Sequence, residues 1–221
     1  MNVKNTTILA ISFITATLVG CGGSSGSSDD PILIGTTYFS NEGGILLAKG
    51  KNTEALFNNV LIQSSSTSQA GNTLKITQLT DPTGISDISN DELTATYDGS
   101  GIQVTGFNTT TYLYQLPKNN LQAGDFAGSY NSDTANWVIN SDNTFTATDN
   151  TTGCLLTGEL VYAPIHYIVG NTVATSCSDS RFNGNYPDGY AVYGDLPNGK
   201  DWLGIVIWKN GVAIWDHVPL N

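Results

Sequence analysis

Two cysteines and two histidines are the side chains in the body of the chain that are best suited to redox or metal chemistry. Cys154 and Cys177 lie much further apart than the cysteines of a Cys-x-x-Cys redox pair. His166 and His217 are the only histidines, whereas a zinc site needs three or four converging ligands. The pattern predicts no metal and no cofactor, and in an oxidising compartment it predicts a structural disulfide.

The predicted disulfide depends on a hairpin. If residues 154–162 and 166–177 form two strands that turn near Pro164, Cys154 and Cys177 face each other across the open end. Closing a loop of this size should stabilise the fold by roughly 3 kcal/mol, because the cross-linked unfolded chain has less conformational freedom.

The carboxylates do not form a recognisable catalytic pattern. The chain has no Gly-x-Ser-x-Gly motif, and neither histidine has an obvious nucleophile as partner. Glu92, Glu159 and Asp216 are the residues to test first for hydrolysis, but the sequence pairs no two of them as acid and base. Asp216 interrupts an apolar face, so it is either a polar group that lines a barrel or a paired structural charge. Asp142 and Asp149 lack the spacing of a calcium loop and are typical of turns. We expect no catalytic residues and no enzymatic activity.

The last predicted hairpin contains three of the four tryptophans. Asn210-Gly211 is a two-residue turn signal, so Lys209 should pair with Val212. Because side chains alternate along a strand, this pairing predicts an aromatic face. Its members, here called the Trp face, are Trp202, Val206, Trp208, Trp215 and His217. The opposite face carries Leu203, Ile205, Ile207, Ile214 and Val218.

Both faces of this hairpin are apolar, so each must either be covered by another part of the protein or serve as a binding surface. One face should fill a barrel. The Trp face either packs against the first half of the chain or fills the barrel itself, or it forms an exposed platform for sugars or aromatic ligands.

Few charges and many Thr, Asn, Ser, Gly, Tyr, Val and Ile residues indicate short strands joined by tight turns. The first half predicts a small sheet or barrel, with a hairpin turn at Asp98-Gly99. Its strands are Ile32–Phe39, Gly44–Ala48, Ala55–Gln63, Thr73–Leu79, Glu92–Tyr97, Ile102–Phe107 and Thr111–Leu116. The second half predicts an eight-stranded up-and-down barrel, similar in shape to lipocalin and avidin barrels. Its strands are Phe126–Tyr130, Ala135–Asn140, Asn143–Thr148, Cys154–Tyr162, His166–Thr175, Gly189–Tyr193, Asp201–Lys209 and Val212–Val218.

The composition changes near residues 117–120, because all tryptophans, both histidines and every cysteine other than Cys21 lie beyond that point. We therefore expect an N-terminal β domain over residues 31–119 and a C-terminal β-barrel domain with the disulfide over residues 120–221.

Residues 1–20 have the zones of a signal peptide, with a single charge at Lys4 and an apolar run that ends at Gly20. The run is too short and too polar for a transmembrane helix. The last three of these residues and Cys21, in the order Leu-Val-Gly-Cys, resemble the lipobox of bacterial lipoproteins. The resemblance implies cleavage before Cys21, a diacylglycerol on its thiol, and an acyl group such as palmitate on its amine.

The position after Cys21 bears on localisation. In Gram-negative lipoproteins an aspartate there retains the protein in the inner membrane, so Gly22 implies an outer-membrane lipoprotein. Residues 22–30 are rich in Gly and Ser and predict a flexible tether between the lipid and the folded part.

The net charge excludes one class of partner. Without residues 1–20, 7 basic and 19 acidic side chains remain of the 8 and 19 in the chain, which gives −12. A surface of this sign repels phosphate backbones, so nucleic acid is excluded as a partner.

The C-terminal half contains a series of short motifs, which are Gly128-Ser129-Tyr130, Trp137-Val138-Ile139, Thr144-Phe145-Thr146, Gly153-Cys154, Tyr167 and Cys177. This series resembles a pattern in uncharacterised two-domain, β-rich lipoproteins of Gram-negative bacteria. These proteins have no activity that can be carried over.

We expect a lipid-anchored envelope protein with a non-catalytic binding, adhesion or structural role and a protein or glycan partner. The alternatives are an inhibitor of a basic secreted enzyme such as lysozyme, or a glycan or small-ligand binder that uses the Trp face or the barrel interior.

Overall fold

The computed structural model describes residues 31–40, 42–116, 124, 127–195 and 201–220. These residues form an all-β protein of two successive antiparallel barrels, which confirms the predicted fold class. Cys21, the predicted signal peptide, the predicted tether and the predicted boundary at 117–120 lie outside the described residues.

The first barrel has eight strands that neighbour each other in chain order. They are β1 (Thr36–Phe39), β2 (Ile45–Ala48), β3 (Thr53–Phe57), β4 (Val60–Ala70), β5 (Thr73–Thr80), β6 (Leu93–Tyr97), β7 (Gly101–Gly106) and β8 (Thr109–Gln115). The barrel is closed because β1 pairs with β8 as well as with β2, with Phe39 opposite Tyr114. Apolar side chains such as Leu74, Ile76 and Val104 fill its interior.

The predicted single strand Ala55–Gln63 is wrong, because the chain reverses in its middle. Asn58 and Asn59 have φ of 51° and 61°, and they form the two-residue turn across which Phe57 pairs with Val60. Asparagine adopts this left-handed conformation more readily than most residues, and hairpin turns require it. Apolar residues on both sides of the turn make the two strands look like one in the sequence.

The hairpin predicted at Asp98-Gly99 is present one residue further on. The backbone amide of Asp98 donates to the carbonyl of Gly101 at 3.1 Å, so Gly99 and Ser100 are the central residues. Gly99 has φ of 108°, which explains the need for glycine there.

The second barrel contains all eight predicted strands and one extra short strand. Its elements are β9 (Gly128–Asn131), β10 (Ala135–Ile139), β11 (Thr144–Asp149), β12 (Cys154–Ala163), β13 (His166–Thr175), a 3-10 helix (Ser180–Phe182), β14 (Gly184–Tyr186), β15 (Asp188–Asp195), β16 (Asp201–Lys209) and β17 (Val212–Leu220). The extra strand, β14, pairs only with β13. The other eight form an up-and-down sheet from β9 to β17 that is nearly closed.

Side chains bridge the remaining gap between the two ends of this sheet. Asp216 on β17 is buried and accepts a hydrogen bond from the indole Nε1 of Trp137 on β10 at 2.8 Å. The hydroxyls of Ser132 and Thr134, beside the β9–β10 turn, also donate to its carboxylate. The sequence left two interpretations of Asp216, a polar group that lines a barrel and a paired structural charge. These hydrogen bonds support the paired structural group.

The predicted disulfide is present. The Sγ atoms of Cys154 and Cys177 are 2.04 Å apart, at the open end of the hairpin formed by β12 and β13. Ala163 pairs with His166, so the chain turns at Pro164 and Ile165 as expected.

The two barrels pack against each other through apolar outer faces. Phe39, Ile45 and Leu47 of the first barrel belong to the same buried cluster as Val206 and Trp208 of the second. The remaining buried members of this cluster are Leu56, Leu61, Leu116, Tyr190 and Val192. Strands β1 and β2 are buried along their whole length because one side faces their own barrel and the other side faces the second barrel.

Gly204 allows the two barrels to approach closely. It lies on the Trp-face side of β16, and a Cβ atom there would be 2.7 Å from Cε2 of Phe39 and 3.2 Å from Cδ1 of Ile45. Both neighbours are fully buried, so neither can move aside easily. A glycine inside an apolar strand often marks such a close approach.

We predict that Gly204→Ala destabilises the protein by about 1–3 kcal/mol, because the new methyl group overpacks the contact with Phe39. Urea unfolding followed by circular dichroism measures the loss. Gly170→Ala is the matched control on another strand, because a Cβ there meets only the side chain of Glu159 and should change stability by less than about 0.5 kcal/mol. Equal effects of the two substitutions would contradict the close contact at Gly204.

Candidate functional site

The Trp face has the register that the sequence predicts. Lys209 pairs with Val212 across the Asn210-Gly211 turn, and Val206 pairs with Trp215. Trp202, Val206 and Trp208 consequently point out of the second barrel, whereas the opposite face joins its core.

Most of the Trp face is covered by the first barrel. Val206 and Trp208 are buried in the inter-barrel cluster, and the ring of Trp208 meets that of Tyr190 edge-on at 5.8 Å. Trp202 is half-buried against the same cluster and lies 5.5 Å from the imidazole of His217. For these residues the packing interpretation of the Trp face is correct.

Trp215 is the exception, because 41% of its surface remains exposed. It stands at the junction of the two barrels and lines two clefts, one on each side. We call these the polar cleft, with a volume of about 490 Å³, and the apolar groove, with a volume of about 290 Å³.

The polar cleft lies between β17 and three chain segments at one end of the first barrel. Trp215 and His217 form the β17 wall. The opposite walls come from three segments of the first barrel. They are Ser40, Glu42, Gly43 and Gly44 between β1 and β2, Asn58 and Asn59 of the β3–β4 turn, and Thr109, Thr110 and Thr111 at the start of β8. Leu56 and Phe57 also line the cleft and are buried.

Local hydrogen bonds and backbone conformations determine the turns that form the polar cleft. The hydroxyl of Ser40 accepts from the amide of Gly44 at 3.0 Å, which holds the β1–β2 turn. Gly43 has φ of 85°, and a Cβ there would be 3.2 Å from Nδ1 of His217, so this turn lies directly against β17. The left-handed backbone of Asn58 and Asn59 fixes the neighbouring turn.

The apolar groove lies on the other side of the Trp215 ring. Val60, Leu61 and Ile85 of the first barrel line it together with Phe182 and Ala213 of the second. Ile85 is 68% exposed, so part of this lining is open to solvent. Arg181 also borders the groove, and its guanidinium is paired with Asp179 at 2.6 Å, which lowers the pKa of that carboxyl group.

A third and much smaller cavity between the barrels is lined by His166. Its volume is about 30 Å³, and Thr36 and Thr37 of the first barrel line it together with Tyr162 and Ile165 of the second. The hydroxyl of Thr37 donates to the carbonyl of Ile165, which ties the barrels together here. Burial, assisted by the positive charge of Lys49, lowers the pKa of His166 to about 4.

His166 is one of three buried polar groups without a hydrogen-bond partner among the described residues. The three atoms are Nδ1 of His166, the hydroxyl of Tyr190 and Nε1 of Trp202. Burial raises the pKa of Tyr190 well above its usual value, so this phenol stays neutral. Such groups lower stability, and all three lie at or beside the inter-barrel contact.

The three carboxylates singled out for hydrolysis do not meet. Glu92 forms an exposed ion pair with Lys75 at 2.9 Å, Glu159 accepts from the amide of Asn171 at 2.5 Å, and Asp216 is buried inside the second barrel. Asp142 and Asp149 accept from the backbone amides of Thr144 and Thr151, the pattern of turn-forming residues. The residues that the structure describes contain no group of three or more His, Cys, Asp or Glu side chains that could hold a metal ion.

The sequence did not indicate the first-barrel side of the polar cleft. Two separate turns contribute Glu42 and the Asn58-Asn59 pair, and the start of β8 contributes the threonines at 109–111. Only the folded barrel brings these residues opposite Trp215. In the sequence, the Asn58-Asn59 pair indicates a turn at this position. The prediction of a single strand over Ala55–Gln63 did not take that pair into account.

Comparison with known proteins gives no relative for this chain. No family model matches it, and no curated protein or solved structure shows a significant match. Within the described part of the chain, no helix has the length and apolar character needed to span a membrane.

We predict that acidification destabilises the protein partly through His166. In the unfolded chain this imidazole takes up a proton near its ordinary pKa of 6.5, whereas the folded protein resists protonation down to about 4. Between these values the unfolded state binds more protons, so stability falls as the pH falls, by on the order of 2 kcal/mol in total. Urea unfolding at pH 7, 5.5 and 4 should show a smaller loss for His166→Gln than for the unsubstituted protein. Identical pH profiles would contradict the assignment.

Proposed function

We propose that this protein is a lipid-anchored, non-catalytic binding protein of the bacterial cell envelope, held by Cys21 at the outer membrane. The observation that carries the binding role is the exposed indole of Trp215, placed between two clefts at the junction of two packed barrels.

The lipobox-like sequence before Cys21 supports the anchor. A disulfide between Cys154 and Cys177 is consistent with the oxidising compartment to which such a signal delivers a protein. The Gly/Ser-rich residues 22–30 would let the folded part extend from the lipid surface.

Two features support a binding role over a purely structural one. Large aromatic side chains of the Trp face are covered wherever the barrels meet, yet Trp215 is left 41% exposed beside both clefts. The barrel interiors, in contrast, hold clusters of packed apolar side chains. An exposed tryptophan in a concave setting is typical of a ligand-binding surface, since it offers a large contact area with little loss of side-chain freedom.

The anchor is tested by labelling cells that produce the protein with radioactive palmitate. We expect label in the unsubstituted protein and none in Cys21→Ala, which should also move from the membrane to the soluble fraction. A Cys154→Ala, Cys177→Ala double variant is the control and should keep the label, because its lipid acceptor is intact. Label retained by Cys21→Ala would contradict the anchor.

The binding role is tested by co-sedimentation of the soluble Cys21→Ser protein with two purified Gram-negative envelope fractions, outer-membrane vesicles and peptidoglycan sacculi. We expect it to sediment with one fraction, and we expect an additional Trp215→Ala substitution to reduce the bound amount at least about tenfold, the effect of losing an aromatic contact at the centre of a site. Tyr162→Ala is the matched control, because Tyr162 is 43% exposed and lies outside both clefts beside Trp215. Absence of binding, or equal loss in both variants, would overturn the proposed binding role.

A further inference from the structure

We propose that the polar cleft binds a neutral glycan and that one sugar ring stacks on the indole of Trp215. This inference rests on the proposed binding function and names the ligand class of the same surface. It follows from three properties of the cleft: its aromatic wall, its mostly uncharged polar lining and its size.

Trp215 supplies a flat apolar wall in a polar setting. It lies on the outward face of β17, with His217 two residues away on the side of the polar cleft. The apolar faces of pyranose rings carry C–H groups that pack on aromatic rings, whereas their edges carry hydroxyls. A ligand with both properties therefore fits a cleft in which the exposed indole of Trp215 faces mostly polar groups, with the buried Leu56 and Phe57 between them.

The polar lining consists mostly of neutral groups that both donate and accept hydrogen bonds. Asn58 and Asn59 contribute amides, and Thr109 and Thr111 contribute hydroxyls. None of these four side chains hydrogen-bonds to another described residue, so all four are available to a ligand. A ligand rich in hydroxyl groups can use both the donor and the acceptor capacity of such side chains.

The charges around the cleft exclude an anionic ligand. Among the residues that the structure describes, the lining includes one carboxylate, Glu42, and no lysine or arginine. The chain as a whole carries a net charge of −11. Sulfated, phosphorylated or carboxylated polymers would be repelled by this net charge and would find neither lysine nor arginine among the described lining residues.

The size of the cleft suits a short stretch of a glycan chain. Its volume of about 490 Å³ falls within the usual range of small-ligand sites, about 300–1,000 Å³. Trp215 and Asn59 also line the neighbouring apolar groove. A glycan could therefore continue past the indole on either side.

The test is isothermal titration of the detergent-solubilised full chain with neutral hexasaccharides of β1,4-linked glucose, β1,4-linked N-acetylglucosamine and α1,4-linked glucose. At least one of the three hexasaccharides should bind with a Kd below about 1 mM, which corresponds to a binding free energy of about −4.1 kcal/mol. Trp215→Ala should weaken that binding at least tenfold, whereas Trp215→Phe should retain part of it because a smaller aromatic ring remains.

Two polar variants separate recognition from folding. Thr111→Val keeps the shape of the side chain but removes its hydroxyl, and Asn59→Gly removes an amide while glycine tolerates the positive φ at this position. Each should weaken binding a few-fold with little change in urea stability. Tyr162→Ala is the control for a general effect of losing an exposed aromatic residue and should bind as the unsubstituted protein does.

Three results would overturn the inference. They are failure of all three hexasaccharides to bind, binding that Trp215→Ala does not weaken, and tighter binding of heparin than of any neutral saccharide. If envelope co-sedimentation depends on Trp215 but no hexasaccharide competes with it, the glycan assignment fails while the binding function stands, and a protein partner takes its place. If co-sedimentation is absent, the proposed function itself fails.

Discussion

The packing of one barrel on the other is the contact on which the rest of the structure depends. It buries the outer faces of β1 and β2 against the Trp face of β16, and it needs glycine at position 204 for Phe39 to approach. Because the second barrel covers the outer side of β1 and β2 and their own barrel covers the inner side, both strands are buried along their whole length. The hydrophobic effect thereby joins two small barrels into one body with a fixed junction.

The candidate site is a consequence of that junction. The apolar contact covers Trp208 and Val206 but leaves Trp215 41% exposed, with a cleft on each side of its ring. The buried Nδ1 of His166 and hydroxyl of Tyr190 lie at or beside this contact and have no hydrogen-bond partner among the described residues. Trp215 stands beside this packed contact, and a side chain that is already positioned before binding favours affinity because less conformational freedom is lost.

Much of the fold could be predicted from the sequence because its determinants are local. The Asn210-Gly211 turn and the alternation of Leu203, Ile205 and Ile207 with Val206 and Trp208 specify the last hairpin and its two faces. The Asn58-Asn59 turn was missed because neighbouring apolar residues belong to two buried strands. The first-barrel side of the polar cleft could not be predicted, because Glu42, Asn59 and Thr111 meet only when a closed barrel docks on β17. That docking depends on the shape of two surfaces far apart in the chain.

The difference in exposure between Trp215 and Trp208 is the central structural claim, and it can be measured directly. Hydroxyl-radical footprinting of the full chain, read by mass spectrometry at each tryptophan, reports side-chain accessibility. Trp215 is 41% exposed, whereas Trp208 is 4% and Trp137 is 2% exposed. We expect oxidation of Trp215 to exceed that of Trp208 and Trp137 at least about tenfold, in proportion to these areas. Oxidation of Trp208 at the same rate as Trp215 would show that the barrels do not cover the Trp face and would contradict the junction.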